Sequence, residues 1–370
     1  MTENRPDVAA FTDTYLPTVN GVSYTVQTWR DRWVDRDGRM AVVFPGADYD
    51  PAPDEHPVSS FPLPFYEGFH VGVPQVPDAV TDVDLVHAHT AFALGVAGGR
   101  LARRHDLPLV ASYHTPTAEY ANYLAVGDRS ANALRDVSER YERWFYDRAD
   151  LAVTPSAATR DHLREHVGVS TPIEVVSNGV DVERFRPSDP TAFLQRHDID
   201  TDRPLVGYTG RHGYEKRLDD IIAAAAGLDV TLVFGGDGPA REDLEEQAAA
   251  AEVDARFLGF LDRDEMAAFY TALDVFAFPS PVETQGLVAL EANACGTPVV
   301  GADEGALATT IEDGVTGFHF ETGDAVSFRA ALERALSECD DLEATCLARR
   351  DEMSVEHAVD RLEELYGSLR

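Results

Sequence analysis

Two basic residues, Arg211 and Lys216, lie five positions apart in the segment Thr209-Gly-Arg-His-Gly-Tyr-Glu-Lys, directly after a short apolar run. Lys216 is the only lysine of the 370 residues, since every other strong base is an arginine. The apolar run gives way to a helical pattern near Leu218, which predicts a strand–loop–helix junction whose free backbone N–H groups favour an anion. An ammonium and a guanidinium at such a junction indicate a diphosphate-binding site. The simpler alternative is that Lys216 is one leftover surface base.

A second candidate site lies in the segment 281–298, where Glu283 and Glu291 flank the pair Gly286-Leu287. A carboxylate in a loop before a helix can accept hydrogen bonds from sugar hydroxyls. The N–H groups of Gly286 and Leu287 would then face a phosphate, and Glu291 would reach ribose hydroxyls. Since the chain contains 65 acidic residues, this spacing does not by itself distinguish a binding site from the acidic background.

Short apolar runs alternate with helical patterns along the whole chain, which predicts an α/β protein with parallel sheets. The strand candidates are 8–11, 40–44, 85–89, 107–113, 151–154 and 173–176 in the first half, and 205–208, 230–234, 255–258, 275–278, 298–300 and 317–320 in the second. The helix candidates are 21–36, 92–105, 128–148, 156–166, 217–226, 239–251, 264–272, 286–294 and 325–337.

The length and the restart of the strand pattern near residue 205 predict two Rossmann-like domains. We place the first at 1–190 and the second at 191–353, with the boundary in the polar stretch from Arg186 to about 203. The amphipathic segment 354–370 is predicted to be a helix that packs back on the first domain. Two such domains facing each other would form a cleft, and open α/β sheets bind ligands at the carboxyl ends of their strands.

The charge of the chain is strongly negative, with a formal net charge of −34 and an isoelectric point near 4.5. Acids spread throughout the chain, combined with almost no lysine, indicate a cytosol of high salt concentration. No basic stripe is present, which disfavours nucleic acid as a partner. Three cysteines without metal-ligand spacing, no signal peptide and no apolar run of membrane-spanning length predict a cytoplasmic protein.

The stretch 95–150 differs from the rest because it balances eight arginines against eight acids. It contains Arg103 and Arg104, followed by Arg143, Trp144 and its aromatic neighbours. Arginines and aromatic residues at helical spacing can face a membrane surface or an anionic acceptor, which would make the protein peripheral on the inner face of a membrane. The alternative is a packed helix with paired charges.

The chain resembles the retaining nucleotide-sugar glycosyltransferases of family 4, which have the two-domain GT-B fold. The pattern Glu283-x7-Glu291 with Gly286-Leu287 and Gly296-Thr-Pro298 is highly specific for that family. Further motifs occur in the order that the family has, over about residues 8–366: Ser177-Asn-Gly-Val-Asp181, Gly210-Arg211 with Lys216, Gly235-Gly-Asp-Gly-Pro239 and Leu258-Gly-Phe260.

This resemblance implies roles for individual residues. Arg211 and Lys216 would bind the donor diphosphate and stabilise the leaving group, while Glu283 would hold hydroxyls of the donor sugar. His114, in the segment Ala111-Ser-Tyr-His-Thr-Pro, resembles the active-site histidine that contacts the donor sugar at the reaction centre. The catalytic candidates are thus His114, Arg211, Lys216 and Glu283, and the donor-binding candidates are Asn20, Gly21, Arg211, Lys216, Glu283, Gly286, Leu287 and Glu291.

Two positions depart from the family pattern. Asn20 stands where the family often has a glycine before Gly21, the residue that would approach the diphosphate closely. Since asparagine tolerates left-handed backbone, we expect that loop to be preserved. Arg217 stands where the family often has a glycine after the lysine, which leaves the local conformation there open.

The resemblance implies transfer of a hexose from a UDP- or GDP-linked sugar to a hydroxyl of a membrane lipid or a lipid-linked glycan, without a metal or other cofactor. A sugar-nucleotide 2-epimerase of the same two-domain fold is an alternative, as is a nucleotide-sugar-binding protein without turnover. The Asp-x-Asp pairs are expected from composition in so acidic a chain. His87 and His89 lie two apart at a strand end, and a metal there would need His114 as third ligand. We predict instead that His87 is structural.

Overall fold

The computed structural model describes residues 5–62, 69–114 and 128–370, of which 128–134 are described by their backbone alone. The chain forms two compact units, one of Met1–Asn178 with Val355–Arg370 and one of Gly179–Ser354. Each unit contains a parallel sheet covered by helices, so the expected α/β class and Rossmann-like pattern are present in both halves.

The division between the units lies about twelve residues before the boundary expected near 190. Residues 179–190 belong to the second unit because Val180 and Phe185 are buried in its core. Val180 also donates its backbone N–H to the carbonyl of Met353 at 2.8 Å, inside the same unit. Proline and polar residues predicted an irregular segment here. The packing of Val180 and Phe185 decides to which unit that segment belongs.

The first unit has a seven-stranded parallel sheet in the order β3-β2-β1-β6-β7-β8-β9. Its strands are β1 Val8–Phe11, β2 Met40–Pro45, β3 Glu55–Val58, β6 Leu85–Ala88, β7 Leu109–Ser112, β8 Leu151–Thr154 and β9 Ile173–Val175, with an antiparallel pair β4 Ser60–Pro62 and β5 His70–Gly72. Its helices are α1 Gly21–Asp35, α2 Ala93–His105, α3 Asp128–Tyr146, α4 Ala157–Asp161, a π-helical turn His162–Val167 and the terminal helix α13 Val355–Ser368, with a short 3₁₀ turn Asp78–Val80.

The second unit has a six-stranded parallel sheet in the order β12-β11-β10-β13-β14-β15. Its strands are β10 Leu205–Thr209, β11 Thr231–Gly235, β12 Ala255–Gly259, β13 Val275–Phe278, β14 Val299–Ala302 and β15 Gly317–Phe320. Its helices are α5 Thr191–Arg196, α6 Asp219–Ala225, α7 Arg241–Ala250, α8 Met266–Ala272, α9 Leu287–Ala294, α10 Leu307–Thr310, α11 Ala325–Ser337 and α12 Cys339–Ala348, with 3₁₀ turns Tyr214–Lys216 and Arg350–Met353.

Both sheets have the strand order of a Rossmann-type doubly wound fold, in which the order reverses beside the first strand. The central strands are mostly apolar because helices cover both faces. In β1 the side chains of Ala9 and Phe11 join one core cluster, and those of Val8 and Ala10 join the cluster on the opposite face. All twelve strands expected from the apolar runs are present.

Apart from helix α12, which has ten residues, the strands and helices that the sequence pattern missed are short. Strands β3 and β4 contain Pro57 and Pro62, which removes a backbone donor and lowers the strand signal. Helices α5 and α10 have six and four residues, too few to show a helical period.

The terminal helix α13 completes the core of the first unit. Val359, Leu362 and Tyr366 are fully buried, and the Tyr366 ring packs edge-on against Trp33 of α1 at 5.4 Å between centroids. The Arg36 guanidinium donates to the carboxylate of Asp360 at 2.6 Å. Among the helices that the structure describes, none combines the length and apolar character needed to cross a lipid bilayer.

Candidate active site

The expected phosphate-binding residues of the second unit lie on loops that follow β10 and β13, two neighbouring strands of the sheet. Arg211 and Lys216 follow β10, and Glu283 follows β13. Since the strands are parallel, these loops leave the sheet at the same edge. The structure therefore brings together residues that are 67 positions apart in the chain.

Two glycines let the loops after β10 and β11 approach backbone to backbone. Gly236 has φ of +102°, and a Cβ there would lie 2.0 Å from the carbonyl oxygen of Gly210. Gly210 has φ of +143° and donates its N–H to the carbonyl of Gly235 at 3.2 Å. These positions require glycine because a side chain would displace one loop from the other.

The two bases expected to bind phosphate, Arg211 and Lys216, are paired with glutamates. The Lys216 Nζ donates to Glu283 Oε1 at 2.7 Å, and the two side chains are only 20% and 17% exposed. The Arg211 guanidinium donates to the carboxylate of Glu215, four residues along the same loop. An anion that binds here would therefore exchange places with these carboxylates as the partner of the two bases.

Arg217, the residue after the lysine, has left-handed backbone with φ of +53°. A glycine meets no steric penalty in this conformation, whereas a residue with a Cβ does. This conformation accounts for the glycine that the family pattern has at this position. The Arg217 Nε donates to Asp220 Oδ2 at 2.7 Å, so the side chain makes an ion pair that glycine cannot make.

Gly286 caps the N-terminus of helix α9 with φ of +79°. A Cβ there would lie 2.7 Å from the Leu307 side chain, so the position requires glycine for its conformation and for space. Gly286 has no side chain that could cap the helix, whose first residue is Leu287. The N-terminus of α9 follows the loop that carries Glu283, as the sequence predicted.

Glu291 lies one turn further along α9 and is 9% exposed. Its Oε2 accepts a hydrogen bond from the Tyr270 hydroxyl at 2.8 Å, and its Oε1 lies 3.9 Å from an Arg263 nitrogen. Burial raises the pKa of the Glu291 carboxyl. Nothing in the local sequence of Tyr270 and Arg263 marks them as neighbours of Glu291.

In the first unit, Asn20 and Gly21 begin helix α1. Asn20 is its N-cap, with its Oδ1 accepting from the Ser23 N–H at 2.9 Å and its own N–H donating to Ser23 Oγ at 3.0 Å. The backbone of Asn20 is extended, with φ of −159°, so the left-handed conformation that asparagine tolerates is not used here. Asparagine fits here because its side chain satisfies a free N–H of the helix.

His114 follows β7 and is 7% exposed. Its Nε2 lies 3.2 Å from Nδ1 of His89, which follows β6. Burial lowers the pKa of His114 to about 4, so the ring is neutral at pH 7. The residues after His114, from 115 to 127, lie outside the described part of the chain.

The surroundings of His87 do not fit a metal ligand. Its Nδ1 is 2.6 Å from the Tyr366 hydroxyl and its Nε2 is 2.8 Å from Ser112 Oγ, so both ring nitrogens have partners. Within the residues that the structure describes, no three His, Cys, Asp or Glu side chains are grouped as a metal site. Metal independence remains a prediction.

Solved structures share the fold over nearly the whole chain. Sucrose-phosphate synthase from Thermosynechococcus elongatus superimposes with a TM-score of 0.79 at 19% identity, covering 99% of both chains. Anabaena HepE in complex with UDP-glucose superimposes with a TM-score of 0.78 at 21% identity, covering 98% of this chain and 100% of that one.

Sequence comparison finds a glycosyltransferase family in each half of the chain. The family described as Glycosyltransferase Family 4 matches residues 19–184, and the one described as Glycosyl transferases group 1 matches residues 190–346. The alpha-monoglucosyldiacylglycerol synthase of Streptococcus pneumoniae is 30% identical over 97% of this chain and 85% of its own. A GDP-mannose-dependent alpha-mannosyltransferase of Corynebacterium glutamicum is 29% identical over 89% of this chain and 79% of its own.

The fold and the arrangement of the loops define a glycosyltransferase of the GT-B class. The sequence matches cover both halves of the chain and identify one family within that class. The chain belongs to glycosyltransferase family 4.

The backbone of Arg217 gives a test of the loop conformation. Because left-handed backbone penalises a Cβ by about 1 kcal/mol, we expect Arg217→Gly to be more stable than Arg217→Ala by about that amount. Both variants lose the ion pair with Asp220, so the comparison isolates the backbone. The free energy of unfolding from urea denaturation measures the difference.

The same pair of substitutions at Arg334 in helix α11 is the control, and there alanine should be the more stable by about 1 kcal/mol. If alanine is also the more stable residue at position 217, the left-handed conformation is wrong.

The buried histidines give a pH test. Burial lowers the pKa of His87 to about 3, below the ordinary value of 6.5. The unfolded chain therefore binds a proton that the folded chain does not, and stability falls as the pH drops below 6.5. Between pH 7.5 and 5, His87 should account for a loss of about 2 kcal/mol in the free energy of unfolding.

The variant His87→Gln cannot take up this proton. It should start from lower stability at pH 7.5 but lose about 2 kcal/mol less than the wild type on going to pH 5, by urea denaturation at each pH. An equal loss in both proteins would show that His87 is protonated in the folded state.

Proposed function

We propose that the chain is a retaining hexosyltransferase that moves a hexose from a UDP- or GDP-linked sugar to a hydroxyl of a membrane lipid or lipid-linked glycan. The observation that carries the proposal is the pair of bases on the loop after β10, each held by a carboxylate that a diphosphate would replace. No metal is needed in this proposal, because Arg211 and Lys216 supply the positive charge.

In the proposed reaction, the bond between the anomeric carbon of the sugar and the diphosphate oxygen breaks while the acceptor hydroxyl forms a new bond on the same face. The diphosphate gains negative charge as it leaves, and Arg211 and Lys216 stabilise that charge. A diphosphate oxygen receives the acceptor proton. Glu283, released from Lys216, is then available for hydroxyls of the sugar, and Glu291 is assigned to the ribose.

The role of His114 in this proposal comes from its family position and its neutral state. A neutral imidazole can donate or accept a hydrogen bond to a sugar hydroxyl, whereas a protonated ring only donates. Gly21 belongs to the proposed site through its N–H group in the first turn of α1, and Asn20 belongs to it as the residue that caps this helix. Donor binding by variants of Asn20 and Gly21 tests this assignment.

The lipid acceptor is supported by the relatives. The Streptococcus pneumoniae protein is an alpha-monoglucosyldiacylglycerol synthase, and the Arabidopsis thaliana sulfoquinovosyl transferase is 30% identical over 79% of this chain and 58% of its own. Other relatives are D-inositol 3-phosphate glycosyltransferases, such as the one of Geodermatophilus obscurus at 35% identity over 76% of this chain. The acceptor class is therefore the part of the proposal that most needs an experiment.

A surface of the first unit supports contact with lipid. Helix α2 and the end of α3 line a cavity of about 250 Å³ that is mostly apolar and includes Arg103, Trp144 and Arg148. The Trp144 side chain is 41% exposed, and the Arg148 guanidinium lies 4.3 Å from its ring centroid. Exposed tryptophan beside arginines is typical of surfaces that meet the headgroup region of a bilayer. Arg104, which was expected to contribute to the membrane contact, is exposed on α2 but does not line this cavity.

The proposed reaction predicts release of a nucleoside diphosphate that depends on acceptor. Purified protein at molar potassium chloride is incubated with a panel of nucleotide sugars, with and without a total lipid extract, and the products are followed by mass spectrometry. We expect UDP or GDP release to rise with lipid and a glycosylated lipid to appear. Isomerisation of the sugar nucleotide without release would instead establish the epimerase, and binding without turnover would establish a binding protein.

The variant Lys216→Met links this activity to the site. Removal of one charged donor to the leaving group should lower kcat by about 10²- to 10³-fold. Arg256→Met on the edge strand β12 is the control and should keep wild-type turnover. Near-normal turnover of Lys216→Met would show that the loop after β10 does not bind the diphosphate.

The membrane contact predicts weaker vesicle binding when its arginines are removed. A basic side chain near an anionic surface is worth about 1 kcal/mol, so Arg103→Ala with Arg148→Ala should weaken binding to phosphatidylglycerol vesicles by about 30-fold at low salt. The difference should shrink at molar salt, where charges are screened within about 3 Å. Vesicle flotation measures the bound fraction.

The control for vesicle binding is the double variant Arg160→Ala with Arg164→Ala, which removes two arginines elsewhere on the first unit. It should bind vesicles like the wild type. If the Arg103 and Arg148 variant also binds like the wild type, this surface does not contact the membrane.

A further inference from the structure

Three histidine rings are stacked inside the first unit, at the carboxyl ends of β6 and β7. His87, His89 and His114 are 0%, 1% and 7% exposed. The rings of His87 and His89 are 4.0 Å apart between centroids, and those of His89 and His114 are 5.5 Å apart with their planes only 12° from parallel. His89 is therefore the middle ring, and its neighbours on both sides restrict its movement.

The far end of the stack is fixed by hydrogen bonds. The His87 ring is bonded at both nitrogens, to the hydroxyls of Tyr366 and Ser112 at 2.6 and 2.8 Å. Tyr366 belongs to α13 and is fully buried. Trp29 packs beside the stack, with its ring 5.7 Å from His89. These hydrogen bonds fix the His87 ring, and the His89 ring packs against it.

The hydrogen bond between His89 Nδ1 and His114 Nε2 sets the proton positions of both rings. Burial lowers the pKa of each ring, so both are neutral at pH 7 and each carries one N–H. If His89 donates, the second nitrogen of His114 carries the proton and the second nitrogen of His89 is an acceptor. If His114 donates, the assignment is reversed. The two outer nitrogens are therefore always one donor and one acceptor.

These outer nitrogens, His89 Nε2 and His114 Nδ1, are buried and have no hydrogen-bond partner among the described residues. Both rings line a small cavity of about 30 Å³, together with the polar residues Asp13, Thr14 and Thr90. That volume exceeds the roughly 10–15 Å³ that a cavity needs to hold one water molecule. Buried polar atoms without a partner beside such a cavity indicate a bound water or a hydroxyl of a ligand.

We infer that His89 is a positioning residue for His114: its Nδ1 holds the His114 ring in orientation and proton position, and the pair offers one donor and one acceptor to a single hydroxyl. A hydroxyl matches this pair because it donates one hydrogen bond and accepts another. The inference rests on the proposed function in one respect, namely that His114 meets the donor sugar. His87 and Tyr366 act by holding His89.

The test uses two polar variants that differ in which ring nitrogen they replace. An asparagine amide lies near the position of Nδ1, whereas a glutamine amide lies near that of Nε2. His89→Asn should therefore keep the bond to His114, and His89→Gln should lose it. The protein is labelled with ¹⁵N-histidine, and long-range ¹H–¹⁵N spectra of the ligand-free protein report which ring nitrogen of His114 is protonated. The variant His114→Gln identifies its signals by their loss.

We expect the ring-nitrogen shifts of His114 to be similar in the wild type and His89→Asn and to move in His89→Gln. Partners that orient a functional imidazole are typically worth about 10- to 100-fold in activity, so kcat should fall by that factor in His89→Gln and recover most of its value in His89→Asn. The control His166→Leu, at an exposed histidine of the same unit, should change neither. Thermal unfolding establishes that each variant is folded.

Two outcomes separate the inference from the proposed function. If the His114 shifts are the same in the wild type and both His89 variants, His89 does not position His114 and the inference is wrong, whatever the activity. If the shifts move as expected in His89→Gln but His114→Gln keeps full turnover, the positioning is supported and the proposed role of His114 in the reaction is wrong.

Discussion

The two parallel sheets impose the constraint on which the rest of the structure depends. A parallel strand with helices on both faces is mostly apolar, so most polar groups are placed where the strand ends. In the second unit Arg211 follows β10 and Glu283 follows β13, and in the first unit His89 follows β6 and His114 follows β7. Neighbouring strands thus bring side chains together that are far apart in the chain.

The negative charge of the chain affects how it can bind an anionic substrate. A chain with a net charge of −34 repels an anionic sugar nucleotide at long range, so binding depends on positive charge concentrated at the site. Lys216 and Arg211 are the proposed source of that charge, and each is paired with a glutamate. These pairs hold the basic side chains in the loop without a ligand, and salt weakens the long-range repulsion while leaving close contacts largely intact.

The first unit depends on the last residues of the chain. Helix α13 contributes Val359, Leu362 and Tyr366 to the core beneath the sheet, and Tyr366 reaches the buried His87. The polar groups of that core therefore receive a partner that lies 279 positions later in the sequence. A core built from both ends of a chain resists local opening, since neither end can leave without exposing apolar surface.

The sequence by itself determined the α/β class, twelve strands of the two parallel sheets, the loop with Arg211 and Lys216 and the family. These are local features: an apolar run, a glycine that the backbone requires, or a spacing such as that of Glu283 and Glu291 is visible in a few neighbouring residues. Arg217 shows the limit of such local features. The sequence showed that arginine stands where the family often has glycine, but it did not show the left-handed backbone at this position.

The tertiary structure alone decided which side chains are partners. It paired Lys216 with Glu283 and Glu291 with Tyr270, stacked His89 between two histidines, and assigned residues 179–190 to the second unit. Each of these contacts joins segments that are distant in the chain, and in an acidic sequence many carboxylates could serve as the partner of a given base. The choice among them is made by strand order and packing, which fix distances that no local pattern contains.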